Sequence, residues 1–427
     1  MKNTWLCVLL LVLSCTLAPG QTYQVIYTFP DSYGGNPSGT LAMDSAGNIY
    51  GTAPYGGTDC YISTDHGCGV VFELIAQSGG AYYTYSALHT FCEGYNQCPD
   101  GAWPFAGLVI DAMGNLYGTT EQGGSEGSGT VFELSPPSVQ GGSWTETVLH
   151  SFCSTYHCTD GYFPYGRLVL DSDGSLYGTT SAGGNNTNCR DGCGTVFHLT
   201  PPMPPATRWN ESVIYPFCST PMQGHCPDGD TPMIGLSADG LGNFYGTTKY
   251  GGAAHSAGDG VLYELSPSAG GWTETVVRAF PEYSSPVGEL TLAQGNIYGA
   301  AQYNAGVIYE TNSANGSLHT YKFNFNDGVD PLAGVLVSTS QDLIYGTASA
   351  ADNGTQGTLF SLGSGGQLTV LHWFCSQFDC TDGATPAGSL IEDSTGNLYG
   401  TTLYGGSDGC AGNAPVNGCG VVFKFTP

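Results

Sequence analysis

Short runs with a period of two dominate the chain. In Glu146-Thr147-Val148-Leu149-His150-Ser151-Phe152, the residues Val148, His150 and Phe152 share one face, which is the pattern of a half-buried strand. Three more strands precede it: Gly107 to Asp111, Leu116 to Thr120, and Gly129 to Leu134. The first two are joined by Asp111-x-x-Gly114-Asn115, whose residues tolerate the positive φ that a tight hairpin needs. We call these strands a, b, c and d in chain order.

The set recurs. Tyr117, which opens Tyr-Gly-Thr-Thr on strand b, is matched by Tyr50, Tyr177, Tyr245, Tyr298, Tyr345 and Tyr399. A four-stranded sheet repeated at this period is the blade of a propeller. The expected fold is therefore all-β: a seven-bladed β-propeller of four-stranded antiparallel blades, in one domain over 21–427. The last repeat ends on strand c, Val421-Val422-Phe423-Lys424-Phe425, and lacks a strand d. Tyr23-Gln24-Val25-Ile26-Tyr27-Thr28-Phe29 has the strand-d pattern and belongs to no other repeat. The N-terminal strand is thus expected to complete the last blade, which removes a sheet edge and fastens the ring.

Residues 1–20 read as an export signal, with Lys2, an apolar run from Trp5 to Leu13, and Ala18 and Gly20 before a cleavage point at Gln21. A lipoprotein reading would use Cys15, but Val12-Leu13-Ser14 is a poor lipobox. No other apolar stretch competes for a membrane span. The expected location is secreted, periplasmic or on the cell surface.

Cysteine usage agrees with export. Of 16 cysteines, Cys7 and Cys15 precede Gln21, and the rest form close pairs: Cys60 with Cys68, Cys92 with Cys98, Cys153 with Cys158, Cys189 with Cys193, Cys218 with Cys226, Cys375 with Cys380, and Cys410 with Cys419. An oxidising compartment makes local disulfides the natural reading, each contributing on the order of 2 kcal/mol. The gaps vary too much for paired zinc-ligand spacing.

Eight basic residues face 35 acidic ones, for a net charge of −27. Nucleic acid is excluded as a partner because phosphate binding needs cations, and anionic surfaces are disfavoured for the same reason. The acidity suits either solubility or a structural Ca²⁺; no other cofactor is expected.

The recurrent Gly-Asn-Leu-Tyr-Gly-Thr-Thr, Gly-Gly and Gly-Thr-Val-Phe-Glu-Leu-Ser-Pro, clearest at 114–120, 123–124 and 129–136, resembles the GloVer tandem-repeat proteins. These are an exported bacterial family with varied C-terminal anchors. The likeness spans the mature chain and implies an exported repeat protein, with no set catalytic residues. This chain departs from the family in ending at Pro427, directly after strand c.

In a four-stranded blade the d-to-a and b-to-c loops share one face, and every cysteine pair falls in such a loop. That stiffened face is where a ligand is expected. Asp-Gly recurs there at Asp100, Asp160, Asp228, Asp327 and Asp382, each shortly before a proline. These carboxylates serve either as ligands for Ca²⁺ or sugar hydroxyls, or as plain turn formers. Trp103 and Phe163, just before Pro104 and Pro164, are expected near the channel mouth, where they either stack on a sugar or pack. His89, His150 and His372 occupy a strand-d position that holds Tyr or Arg in other repeats, so a packing role with a polar tip is expected.

Together these features favour a monomeric, non-enzymatic protein that binds carbohydrate or another extracellular polymer or protein on the stapled face. The alternatives are a polysaccharide-cleaving hydrolase or lyase using mouth carboxylates, and a structural or adhesive surface protein.

Overall fold

The computed structural model describes residues 20–427 apart from 31–34, 58–59, 61–66, 94–96, 140, 185–188, 220, 222–224, 253–258, 282–283, 303, 315, 325–327, 339–340, 351–355 and 407–417. The export segment before residue 20, Asp327 and Cys410 lie outside the described residues. Among the described residues, no helix is long and apolar enough to cross a membrane.

Seven antiparallel sheets follow one another as blades, spanning 42–90, 109–151, 162–216, 237–279, 286–322, 336–373, and 384–426 with 22–28. Blade 2 shows the plan: strand a Val109–Ile110, b Leu116–Thr120, c Thr130–Ser135 and d Thr145–Ser151. The ring closes as the sequence predicts. Thr22–Thr28 pairs antiparallel with Val421–Thr426, Tyr23 opposite Phe425 and Val25 opposite Phe423.

Each residue of the Tyr-Gly-Thr motif has a separate task. The tyrosine hydroxyl donates to the turn aspartate, as from Tyr399 to Asp393 at 3.0 Å. That aspartate already organises its hairpin: Asp111 accepts from the backbone of Met113 and Asn115 and from the Asn115 amide. The glycine leaves room for an aromatic ring from strand c; a Cβ on Gly118 would lie 2.6 Å from the tip of Phe132. The threonine ties one blade to the next, with Thr52 donating to the Ala106 carbonyl at 2.8 Å and Thr179 to that of Ile234 at 3.1 Å.

Between blades, fully buried rings such as Phe72, Phe132, Phe152, Phe197 and Phe360 form the core. Edge-to-face contacts carry it from blade to blade, for example Phe152 against Phe197 at 5.0 Å.

Strand d corrects one expectation. Val148 pairs with Phe132 and His150 with Val131, because a bulge inserts Leu149 between them. Adjacent residues on strand c point to opposite faces, so Val148 and His150 do too. Glu146 and Val148 therefore face the preceding blade, whereas His150 faces the next. The same shift occurs in blades 1, 3, 4, 6 and 7, and is absent from blade 5.

Candidate functional site at the central mouth

The d-to-a and b-to-c loops do share a face, and three devices fix them. Six disulfides are formed as paired from the spacing: Cys60–Cys68, Cys92–Cys98, Cys153–Cys158, Cys189–Cys193, Cys218–Cys226 and Cys375–Cys380. Cys419 is disulfide-bonded as well. Among the described residues, the sets of three or more His, Cys, Asp or Glu whose ligand atoms lie within 4.8 Å of one another are cysteines: Cys189, Cys193, Cys218 and Cys226, and Cys68, Cys92 and Cys98. Their sulfurs are bridged and offer no thiolate to a metal.

The second device is the aspartate of Asp-Gly. Asp160, only 2% exposed, accepts from the backbone and hydroxyl of Ser154 and from the Thr155 hydroxyl. Asp228 and Asp382 take the same bonds from Ser219 and Ser376. Asp100 accepts from the backbone of Cys92, where Glu93 replaces the serine. Each carboxylate also meets the polar tip on strand d: His89 with Asp100 at 3.1 Å, His150 with Asp160 at 3.4 Å, His372 with Asp382 at 3.2 Å, and the Tyr215 hydroxyl with Asp228 at 2.8 Å. Burial works to raise the Asp160 carboxyl, but hydrogen bonds from His150, Thr155 and Ser154 outweigh it and hold it well below the usual range. Asp382 is lowered in the same way, through His372 and Ser376. These carboxylates sit one to a seam between blades and hold the loops.

Trp103 and Phe163 belong to the third device. At six of the seven blade entries the residue before the proline is left-handed, with φ of 59° at Trp103 and 58° at Phe163, a conformation that costs about 1–2 kcal/mol outside glycine. Their backbone N–H groups donate back to the previous blade, Trp103 to the Cys68 carbonyl at 2.7 Å and Phe163 to that of Ser128 at 2.9 Å. Thr231, Asp330, Thr385 and Asn36 repeat this latch. The Trp103 side chain is half-buried against the core that contains Cys68 and Cys98, and Phe163 packs edge-on to Tyr162 at 4.6 Å.

The latch turns the chain so that the residue after the proline reaches the mouth. Ser38, Phe105, Tyr165, Met233, Leu332 and Ala387 thereby ring a vestibule of about 150 Å³. Phe105 and Tyr165 stack at 4.9 Å with their planes 11° apart, and Tyr55 meets Phe105 edge-on at 5.6 Å. Burial, with the nearby Glu121 carboxylate, pushes the Tyr165 and Tyr55 hydroxyls above their ordinary range, so both stay protonated donors.

A polar bridge floors the vestibule. The Thr40 hydroxyl of blade 1 donates to Glu289 of blade 5 at 3.0 Å, Arg167 of blade 3 lies 3.9 Å from the same carboxylate, and the Arg167 Nε donates to the Leu108 carbonyl at 3.1 Å. Below it the channel widens to about 680 Å³, walled by strand-a residues such as Ile110, Leu170, Leu292 and Ile391. Crowding at the ring's centre explains the strand-a glycines: a Cβ on Gly39 would lie 2.7 Å from the Ala106 backbone.

A family model described as the Gloeobacter/Verrucomicrobia repeat matches residues 12–256 and 235–427. No curated protein matches the sequence. Among solved structures, the chain is similar to a periplasmic gluconolactonase of Pseudomonas aeruginosa (14% identity, TM-score 0.48, covering 79% of this chain and 85% of that one). It is also similar to the aldose sugar dehydrogenase of Streptomyces coelicolor in its PQQ-bound form (11% identity, TM-score 0.41, covering 96% and 100%). A carbohydrate-active enzyme of family AA12 from Trichoderma reesei is a third (15% identity, TM-score 0.43, covering 96% and 96%). At these levels no activity passes from them to this chain. The chain belongs to the Gloeobacter/Verrucomicrobia repeat family.

Proposed function

We propose that this member of the repeat family is an exported, non-enzymatic binding protein that takes carbohydrate at the central mouth of its stapled face. The observation that carries the reading is the stacked Phe105–Tyr165 pair beside the Thr40–Glu289–Arg167 bridge. An apolar platform suits the C–H face of a sugar ring, and acceptors and donors next to it suit its hydroxyls. The loop carboxylates support binding over cleavage, because Asp100, Asp160, Asp228 and Asp382 are engaged in holding the face. The disulfides suit an oxidising compartment outside the cytoplasm.

The test is calorimetric titration with a panel of neutral oligosaccharides. At least one is expected to bind, and Phe105→Ala with Tyr165→Ala should weaken it tenfold or more, on the order of 1.4 kcal/mol. Binding that this double variant leaves unchanged would sink the reading. Release of shorter sugars, lost in Glu289→Gln, would replace it with a cleaving enzyme.

A further inference from the structure

Two aromatic side chains stand out from the stapled face, one of them touching its neighbour: the Tyr156 ring meets that of His157 at 3.8 Å. Tyr156 is 84% exposed and Phe378 86% exposed. They occupy the same place in two disulfide-closed loops, Cys153-Ser-Thr-Tyr156-His-Cys158 and Cys375-Ser-Gln-Phe378-Asp-Cys380. Each opens a single 3-10 turn, Tyr156–Cys158 or Phe378–Cys380, and is followed by a left-handed residue, His157 or Asp379.

Neither loop is a loose end. Besides the disulfide and the buried aspartate, the Cys158 carbonyl accepts from the backbones of Gly161 and Gly184, and the Cys380 carbonyl from those of Gly383 and Gly406. An aromatic ring left in water forgoes about 1.5–3 kcal/mol of burial. Holding it on a rigid stem means that little ordering entropy remains to be lost when a partner covers it.

Their placement points to the shape of the partner. The Tyr156 loop joins blades 2 and 3 and the Phe378 loop joins blades 6 and 7, so they stand three blades apart one way and four the other. The central vestibule, with Phe105 and Tyr165 at its rim, lies between them. Neither tip is among the residues that line the vestibule, so a ligand confined there is held without them. The net charge of −27 repels polyanions, and the aromatic tips offer stacking surfaces for uncharged sugar rings.

We infer that the stapled face binds a linear, uncharged polysaccharide as an extended chain, with Tyr156 and Phe378 as outer platforms on either side of the mouth. This rests on the carbohydrate reading of the mouth and adds the class of ligand and two contact residues. Three linked sites on one chain gain affinity through effective concentration, which a short oligosaccharide cannot exploit.

The experiment compares native-gel retardation by hydroxyethylcellulose, xyloglucan, galactomannan and amylose with calorimetry on oligosaccharides of the retarding polymer. Tyr156→Ala with Phe378→Ala is expected to weaken polymer binding about tenfold or more while leaving trisaccharide binding unchanged. Tyr156→Trp with Phe378→Trp should restore it. Polymer binding as tight in the alanine pair as in the unaltered protein would overturn the extended chain and leave the mouth standing. Failure of the unaltered protein to bind both polymer and oligosaccharide would remove the two together.

Discussion

Blades 1 to 4 and blades 5 to 6 build the same ring by different means. In the first arc the seams are joined by Cys92–Cys98, Cys153–Cys158 and Cys218–Cys226, each with its buried Asp-Gly carboxylate. Against each carboxylate and its His or Tyr comes a glutamate from the next blade: Glu146 near His89, Glu211 near His150 and Glu274 near Asp228. The chain enters blade 5 instead on a long strand a, Pro286–Ala293, with no left-handed latch and no strand-d bulge. Leu318 and Leu368 stand where the glutamates stand in the first arc, judged by their pairing opposite strand c. The first arc adds disulfides and buried loop carboxylates to its sheets, whereas blade 5 is entered through its long paired strand a and blade 6 through the latch at Asp330. The loop-held arc also carries Phe105, Tyr165 and the Tyr156 tip.

Reduction should separate the two most strongly. Each staple of this length contributes on the order of 2 kcal/mol. Mild dithiothreitol is expected to raise hydrogen exchange at 92–100, 153–160 and 218–228, while 307–311 and 318–322 stay protected. Equal loosening of both arcs would erase the distinction.

A smaller effect comes from the clamp itself. Asp160→Ala leaves the Ser154 and Thr155 groups and His150 without their acceptor, and should cost about 1–3 kcal/mol by chemical denaturation. Asp330→Ala, in the latch entering blade 6, is expected to cost less, since no clamp depends on that side chain. A reversed order would show that the carboxylate is not what holds the loop.

The smallest effect is a pH dependence confined to the first arc. Burial pushes Glu146, Glu211 and Glu274 up to about 7, against the lowering pull of His89 on Glu146 and His150 on Glu211 and with the neighbouring aspartates adding to it. Their folded values exceed the ordinary carboxylate value, so the folded state favours the protonated form. The stability they contribute is full below about 4.5 and is lost as pH rises through 7. The melting temperature should therefore fall between pH 5 and pH 8. Glu146→Gln, Glu211→Gln and Glu274→Gln combined should flatten that fall, and an unchanged slope would place its origin elsewhere.

The ring was legible because its determinants are local and repeated. Tyr-Gly-Thr, the Asp-x-x-Gly-Asn turn and the cysteine pairs each act within a few residues or on the adjacent blade. The strand with no partner, Tyr23–Phe29, gave away the closure. The faces of strand d were not legible, since a bulge adds a residue without altering the alternation of Val148, His150 and Phe152. The mouth was displaced by two residues for a similar reason. Trp103 and Phe163 carry the aromatic signal before proline, but the left-handed latch points the next residues, Phe105 and Tyr165, at the channel. Each is the residue directly after the proline, three before the strand-a leucine at Leu108 or Leu168. The seam glutamates carry a recurrent mark, Trp-x-Glu at 144–146, 209–211 and 272–274, but their partners lie on the preceding blade, which that mark does not reveal.

The proposed ligand meets the stapled face at the mouth of the first arc. Hydrogen exchange with and without a saturating neutral polysaccharide tests it most directly. New protection is expected at 38–40, 103–107 and 163–167, with 153–158 following for a long chain. Protection confined to the opposite face, at the 111–115 and 239–243 turns, would contradict it.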